Sequence, residues 1–272
     1  MRQGKSLHHA TQQYPAPHTA LSVIIPAYNE ESRLGPSLDQ VLAYLESRFG
    51  VGPDAPFEVL VVDDGSADAT AVLAESFAAR GVRCLEQPYN LGKGAALRRG
   101  VLESRGRLLL LTDADMSTPV DDLGRLESRL EDAAVVIGSR AVAESQLEHR
   151  QPLYRELMGK TFNKIVRLAG VGGLNDTQCG FKLLDGEVAR RIFPHLVTPG
   201  FGYDVEMIWL ARRFGYRVVE VGVRWAHSPP SRVRPIQDSL RMLLEIVRFR
   251  WLHRGFSPPA DPAPADPTPV DR

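Results

Sequence analysis

The chain has 272 residues, 43% of them hydrophobic, which is enough for one large α/β domain with a substantial core and excludes wholesale disorder. Its 33 basic and 33 acidic residues give a formal net charge of +0, so bulk charge does not indicate a nucleic acid partner. The two cysteines, Cys84 and Cys179, are too few for a disulfide scaffold or a zinc cluster and indicate reduced thiols in a cytosolic protein.

Residues 1–20 are rich in His, Gln and Pro and contain no apolar run long enough for a secretory signal, which predicts a flexible leader. Strands and helices then alternate, as in a mainly parallel sheet with right-handed crossovers. The predicted strands are 21–26, 57–62, 82–86, 107–112, 134–138 and 217–221. The predicted helices are 30–49, 67–80, 93–105, 119–131, 152–169, 186–193, 204–214 and 235–254.

The last predicted helix, 235–254, is amphipathic, and such a helix could lie in a membrane interface or pack on the domain as an ordinary core helix. The acidic residues of this helix favour packing on the domain over a position in a membrane interface. No segment approaches the ~18 apolar residues needed to span a bilayer. The polar face of helix 235–254 is expected to hold Gln237, Asp238, Arg241, Glu245 and Arg248, opposite Ile236, Leu240, Leu243, Leu244, Val247 and Trp251.

Residues 257–272 repeat Pro, Ala and Asp, which predicts a disordered tail and leaves 21–256 as the folded domain.

Three predicted strands end in polar residues. They lead into Pro26-Ala-Tyr-Asn-Glu30, Asp63-Asp-Gly-Ser66 and Asp113-Ala-Asp115. The carboxyl ends of parallel strands form the crevice in which open α/β folds bind ligands. Asp113 and Asp115 point the same way in an extended segment, and two converging carboxylates suit Mg²⁺ or Mn²⁺.

A glycine-rich segment, Gln87–Gly94, places Lys93 between Gly92 and Gly94 at the start of a predicted helix. Backbone N–H groups and a lysine at this position could bind a phosphate. Alternatively, the glycines only allow close packing. The spacing is not that of a Walker A loop.

Four motifs occur in chain order: Pro26-Ala-Tyr-Asn-Glu30, Val62-Asp-Asp-Gly-Ser66, Asn90-Leu-Gly-Lys-Gly94 and Asp113-Ala-Asp-Met116. Together they resemble the motifs of the family 2 glycosyltransferases, which have the GT-A fold. The resemblance therefore implies an α/β domain with a mainly parallel central sheet flanked by helices, and it extends over roughly residues 21–254.

Three later segments resemble the polyprenyl-phosphate branch of that family: Gly138-Ser-Arg140, Asp176-Thr-Gln-Cys-Gly-Phe-Lys182 and Gly202-Tyr-Asp-Val-Glu206. This branch includes dolichyl-phosphate mannose synthases and dolichyl-phosphate glucosyltransferases. The segment from Asp176 to Lys182 looks closer to that of the glucosyltransferases.

The resemblance implies an inverting, metal-dependent enzyme that moves glucose from UDP-glucose onto a polyprenyl phosphate. Its partners would be the nucleotide sugar, the lipid phosphate and, peripherally, the cytoplasmic face of a membrane, without nucleic acid. Four alternatives stay open. They are GDP-mannose as donor, a soluble or glycan acceptor that would require a general base, a sugar-phosphate nucleotidyltransferase, and a non-catalytic nucleotide-sugar binding module.

The resemblance also assigns residues to roles. Asp115 and Asp113 would hold Mg²⁺ or Mn²⁺, and the catalytic set would be Asp113, Asp115 and Asp176. Ser117 stands where relatives can carry Gln, and it is left out of the metal set. His227 is a further candidate ligand. The implied nucleotide-sugar contacts are Pro26, Tyr28, Glu30, Asp63, Asp64, Lys93 and Asp113.

A phosphate acceptor is already an anionic nucleophile at neutral pH, so it needs cations that position it rather than a base. An arginine fork matches a phosphate well. The implied acceptor-phosphate contacts are Arg140, Lys182 and Arg232, with Arg224 and Arg234 as further candidates.

Overall fold

The structure, a computed structural model, describes residues 19–52, 54–142, 145–147, 171–226 and 235–259. The strands in these ranges are β1 (Leu21–Ala27), β2 (Phe57–Asp63), β3 (Val82–Glu86), β4 (Leu108–Leu111), β5 (Val135–Ser139), β6 (Gln146–Leu147), β7 (Lys182–Asp185), β8 (Val218–Gly222) and β9 (Arg224–Trp225). The α-helices are α1 (Glu31–Phe49), α2 (Thr70–Glu75), α3 (Lys93–Glu103), α4 (Leu123–Glu127), α5 (Gly186–Ile192), α6 (Tyr203–Arg213) and α7 (Pro235–Leu252). Three short 3₁₀ turns span Ala78–Arg80, Val120–Asp122 and Phe193–His195.

Seven strands form one sheet in the order β3-β2-β1-β4-β7-β5-β8, and β6 pairs with β9 in a second, two-stranded sheet. In the large sheet β7 runs antiparallel to both of its neighbours, and the other neighbouring pairs are parallel. The mainly parallel α/β fold predicted from the sequence is confirmed.

Strand β7, like the two-residue strands β6 and β9, is missing from the predicted strands. Its apolar part is only Leu183-Leu184, too short a run to indicate a strand without its neighbours. Because β7 is antiparallel, its first residue, Lys182, pairs with Leu111 at the end of β4. The segment before β7 therefore reaches the carboxyl edge of the parallel strands.

The large sheet is covered by helices on both faces. Val23 and Ile25 of β1 pack in one cluster with α1, α2 and α4. Ile24 faces the opposite cluster, which includes residues of α3, α5, α6 and α7. Burial on both faces explains why the parallel strands are continuous apolar runs rather than alternating ones.

Two helices are much shorter than predicted, and the others that the structure describes differ from their predicted ends by at most two residues. The predicted helix 67–80 is only α2 and a 3₁₀ turn, because Asp68 accepts a hydrogen bond from the N–H of Thr70 and so lies before the helix. The predicted helix 119–131 is a 3₁₀ turn followed by α4. The predicted helix 152–169, and most of the predicted leader and tail, lie outside the described residues.

Helix α7 presents two apolar stripes instead of one. Met242, Ile246 and Phe249 are buried in the core. A second stripe, the outer stripe, points away from the domain with each member 58–63% exposed: Leu240, Leu244, Val247 and Trp251. None of the described helices is long and apolar enough to span a bilayer. The predicted division of this helix into one polar and one apolar face is therefore wrong.

Candidate active site

The carboxyl ends of β1, β2 and β4 meet at one edge of the sheet. Ala27 lies beside Asp63 in the register of β1 and β2. The N–H of Thr112, just after β4, donates to the carbonyl of Ile24 at 3.1 Å. The loops that follow these three strands therefore lie side by side.

Asp113 and Lys93 form an ion pair at this edge, with Nζ of Lys93 2.5 Å from Oδ1 of Asp113. A Cβ added to Gly180 would overlap the Asp113 carboxylate, so glycine at this position leaves room for it. Burial alone would raise the pKa of Asp113, but the charges of Lys93 and Lys182 hold it below its ordinary value. Asp113 is therefore ionised at neutral pH.

Asp115 lies in a tight loop. Its Oδ1 accepts a hydrogen bond from the N–H of Ser117 at 3.0 Å, and Met116 between them has a φ of 46°. This left-handed conformation costs a non-glycine residue on the order of 1 kcal/mol, and such strain is concentrated at functional sites. The carbonyl of Ser117 accepts from the N–H of Ala226 at 2.9 Å. Asp115 is thus held in place with its side chain partly exposed.

Asp64 anchors the loop that carries Lys93. Its carboxylate accepts hydrogen bonds from Nε2 of Gln87 at 2.7 Å and from the N–H groups of Leu91 and Gly92 at 2.8 Å. Burial, and to a smaller extent the charge of Asp63, raise the pKa of Asp64. These contacts give Asp64 a structural role beside the predicted contact with the nucleotide.

Asp63 is also buried, with 3% of its surface exposed. Its Oδ2 accepts from the N–H of Ser66 at 3.0 Å. Its Oδ1 has no hydrogen-bond partner among the described residues. Buried polar oxygens are nearly always paired, so Oδ1 of Asp63 is an unsatisfied acceptor at this edge of the sheet.

The loop of residues 87–94, here called the Lys93 loop, packs against residues 197–202, here called the supporting loop. The N–H of Ala95 donates to the carbonyl of Pro199 at 3.1 Å. A Cβ on Gly92 would overlap that carbonyl, and one on Gly94 would lie 2.5 Å from the carbonyl oxygen of Thr198. Both glycines therefore allow close packing, and this packing leaves Lys93 beside Asp113.

Arg140 and Asp176 form a bidentate ion pair. Nε of Arg140 lies 2.7 Å from Oδ2 of Asp176, and Nη2 lies 2.9 Å from Oδ1. Burial opposes both charges, but each charge stabilises the other, so the pKa of Asp176 is lowered and that of Arg140 is raised. The guanidinium lies 5.7 Å from the centroid of the Trp225 ring. Asp176 thus fixes the orientation of Arg140, whose side chain remains 31% exposed.

Lys182 does not fit the predicted contact with an acceptor phosphate. Its side chain is completely buried, and its ammonium lies 2.5 Å from Oδ1 of Asp204 and donates to the carbonyl of Cys179. An exposed lysine could approach a phosphate, whereas this one neutralises a buried carboxylate beneath the site.

The remaining nucleotide candidates lie on β1 or in the loop after it. Pro26 is partly buried in β1, and the Tyr28 ring is 40% exposed. Glu30 accepts hydrogen bonds from the guanidinium of Arg33 at 2.7 Å and lies directly before α1, where an acidic residue also favours the helix dipole. Oδ1 of Asn29 accepts from the N–H of Ala67 at 2.7 Å and so joins this loop to the one after β2.

Of the other cationic candidates, Arg224 is held by Asp122, with Nε 2.8 Å from Oδ1. That pair ties β9 to the turn before α4. His227, Arg232 and Arg234 lie outside the described residues.

The sequence predicted no role for two further residues of the site. Gly180 makes room for Asp113, and the fully buried Tyr203 ring lies 5.9 Å from Nζ of Lys93 and 5.7 Å from Nζ of Lys182. Both belong to motifs quoted above, but their contacts join segments distant in sequence. In the sequence itself, only the glycine within Cys179-Gly-Phe181 indicates a position of close packing.

Comparisons with known proteins show which proteins this chain is similar to. The family model for glycosyl transferase family 2 matches residues 22–193. A dolichyl-phosphate beta-glucosyltransferase of Drosophila melanogaster is 40% identical over 238 residues, covering 84% of this chain and 73% of the relative. The Homo sapiens protein of the same name is 36% identical over 252 residues, covering 88% of this chain and 78% of the relative.

Among solved structures, glucosyl-3-phosphoglycerate synthase from Mycobacterium tuberculosis, in complex with Mn²⁺, UDP-glucose and phosphoglyceric acid, matches with a TM-score of 0.59 and 20% identity. The match covers 87% of this chain and 80% of that one. At this identity the likeness concerns the fold.

Proposed function

Since the chain belongs to glycosyl transferase family 2, we propose that it transfers glucose from UDP-glucose to a polyprenyl phosphate of the dolichyl type, with inversion at the anomeric carbon. The relatives at 36–40% identity are dolichyl-phosphate beta-glucosyltransferases. The observation that carries the proposal is the pairing of Lys93 with Asp113 at the carboxyl edge of the sheet. In this pairing a lysine lies beside a carboxylate at the edge where such folds bind ligands, which supports binding of a diphosphate there.

The donor would lie across the loops after β1, β2 and β4. Oδ1 of Asp63, which has no hydrogen-bond partner among the described residues, would accept a hydrogen bond from the base or the ribose. The exposed ring of Tyr28 could pack on the base. Lys93, between two glycines whose backbone allows close approach, would contact the diphosphate.

A divalent cation fits the acids of this site. Asp113 and Asp115 supply hard oxygen ligands, and no group of three or more His, Cys, Asp or Glu side chains suited to a metal occurs among the described residues. Mg²⁺ is commonly held by one or two carboxylates together with substrate phosphates, so two acids are sufficient for a cation that binds with the donor. When bound, it would stabilise negative charge on the leaving diphosphate.

The acceptor phosphate would meet Arg140. A phosphate oxygen is already deprotonated at neutral pH, so no general base is required, and the task of the protein is to orient it. Asp176 accepts from Nε and Nη2 and so holds the Arg140 guanidinium in one orientation, and the remaining Nη N–H groups would donate to the phosphate oxygens. The predicted part of Arg232 stays a prediction.

The experiment that tests this function is a transfer assay with radiolabelled UDP-glucose, Mn²⁺ and a polyprenyl phosphate, in which label is followed into the organic phase. We expect label in the lipid, and we expect a chelator to remove it, because charge on the leaving group would be left unstabilised. Label from GDP-mannose but not from UDP-glucose would contradict the proposed donor. Label that appears only with soluble acceptors would contradict the proposed acceptor.

The outer stripe of α7 supports peripheral contact with a membrane, where a polyprenyl phosphate would reside. Between residues 240 and 252 the only acid, Glu245, points into the domain with 12% of its side chain exposed. The exposed charges in that range are Arg241, Arg248 and Arg250. An apolar stripe with flanking arginines matches the interface of an anionic bilayer. The predicted cytoplasmic face stays a prediction.

We expect Leu244→Glu to weaken binding to vesicles that contain anionic lipids by about tenfold, because the variant places a charge where an apolar side chain would enter the interface. Sedimentation with vesicles would measure this, and neutral vesicles should bind the wild type more weakly. Val72→Glu is the matched control, since Val72 on α2 is 69% exposed and lies away from α7. Equal binding by Leu244→Glu and wild type, or a dimer in solution that Leu244→Glu dissociates, would overturn the assignment.

A further inference from the structure

Glu245 of α7 faces the supporting loop. Its Oε2 accepts a hydrogen bond from the N–H of Gly202 at 2.9 Å, at the start of α6. A Cβ on Gly200 would overlap the same carboxylate. A negative charge at this end of α6 is also favoured by the helix dipole. Glu245 therefore holds the end of the supporting loop in a defined position.

A second residue near the end of α7 acts on the other end of the supporting loop. Nε2 of His253 lies 2.7 Å from Oε1 of Glu206, which is fully buried. The Glu206 carboxylate accepts hydrogen bonds from the N–H groups of Val197 and Thr198 at 2.9 and 2.7 Å. Two carboxylates thus fix the two ends of the supporting loop. Glu245 on α7 binds one end, and Glu206 on α6, which His253 contacts, binds the other.

The middle of the supporting loop packs directly against the Lys93 loop. The carbonyl of Pro199 accepts from the N–H of Ala95, and Gly92 packs directly on that carbonyl. Lys93 lies between these two contacts. A displacement of the supporting loop would therefore displace the backbone that carries Lys93.

We propose that Glu245 is a positioning residue for the donor site, which holds Lys93 beside Asp113 through the supporting loop. The proposal rests on the proposed function in one respect, that the Lys93 loop binds the donor diphosphate. Glu245 itself contacts neither substrate. Its removal should therefore loosen the Lys93 loop and weaken donor binding without changing the affinity for the acceptor.

The test compares Glu245→Ala, Glu245→Gln and Glu131→Ala, an exposed carboxylate beside Leu130, which packs in the cluster on the face of the sheet opposite α7. Hydrogen exchange of the segment 91–97 reports the Lys93 loop without any ligand, and exchange of β1 and β2 reports the rest of the fold. In Glu245→Ala we expect exchange of 91–97 to accelerate by about tenfold, with β1 and β2 unchanged. Glu245→Gln should stay near wild type, because its amide oxygen can still accept from Gly202.

Calorimetry of UDP binding and steady-state kinetics complete the test. Glu245→Ala should raise the Kd for UDP and the KM for UDP-glucose by about fivefold to twentyfold, while the KM for the acceptor and the values for Glu131→Ala stay unchanged. Unchanged exchange of 91–97 in Glu245→Ala would overturn the proposal, as would accelerated exchange with an unchanged Kd for UDP. A wild type that binds no UDP would instead overturn the proposed donor, and the exchange data would still decide whether Glu245 holds the loop.

Discussion

Replacing Asp115 with alanine should lower kcat for glucosyl transfer by about 10³-fold or more, the largest effect we expect from any single substitution. Asp115 sits after β4 in the loop fixed by Ser117 and by the strained Met116, with its side chain partly exposed. Under the proposed function this carboxylate would bind the cation, and its partial exposure means that it does not support the core. The free energy of unfolding should therefore change little.

The measurement combines transfer kinetics with Mn²⁺ binding in the presence of UDP. Asp121→Ala is the control, because Asp121 is an exposed acid in the neighbouring 3₁₀ turn and has no proposed role. Full turnover by Asp115→Ala would show that the metal assignment is wrong. Loss of turnover with unchanged Mn²⁺ binding would move Asp115 from the metal to the sugar.

Lys182→Met should lower the free energy of unfolding by about 3–5 kcal/mol, because it leaves the buried carboxylate of Asp204 without its partner. The ammonium of Lys182 has no exposure to solvent, so its charge is compensated only by neighbouring protein groups. Denaturant unfolding would measure the change, and the slope with denaturant should stay constant.

The double variant Lys182→Met/Asp204→Asn should recover at least about 1 kcal/mol relative to Lys182→Met, since a buried neutral amide costs less than a buried unpaired charge. Together with the single variant Asp204→Asn, these variants form a double-mutant cycle that separates the ion pair from the loss of packing. A change below about 1 kcal/mol for Lys182→Met, together with an increased KM for the acceptor, would contradict a structural role. It would restore the direct contact with the acceptor phosphate that the sequence predicted.

The local pattern of apolar and polar residues was enough to predict the parallel part of the sheet. Strands β1, β2 and β4 are apolar runs buried on both faces, and each leads into polar residues, so both the strands and their shared ligand edge follow from the chain. The resemblance to glycosyl transferase family 2 is confirmed by the match over residues 22–193. The wrong helix lengths arose where side chains such as Asp68 bind backbone N–H groups before the helix begins.

The contacts between distant segments required the tertiary structure. Asp176 and Lys182 come from one motif, and both were predicted as site residues. Only the antiparallel course of β7 shows that Lys182 starts a strand inside the sheet. The consequence is that Asp176 orients a partly exposed arginine, whereas Lys182 neutralises a buried acid.

Helix α7 shows most clearly why some features follow from the sequence and others only from the tertiary structure. Leu240, Leu244, Val247 and Trp251 repeat with the same helical spacing as Met242, Ile246, Phe249 and His253, two residues further on. The sequence by itself therefore determined that the helix is amphipathic. Which stripe enters the core, and that Glu245 turns inward to Gly202, were decided by the surface on which the helix packs, because helical periodicity fixes relative directions but not the side that meets the domain.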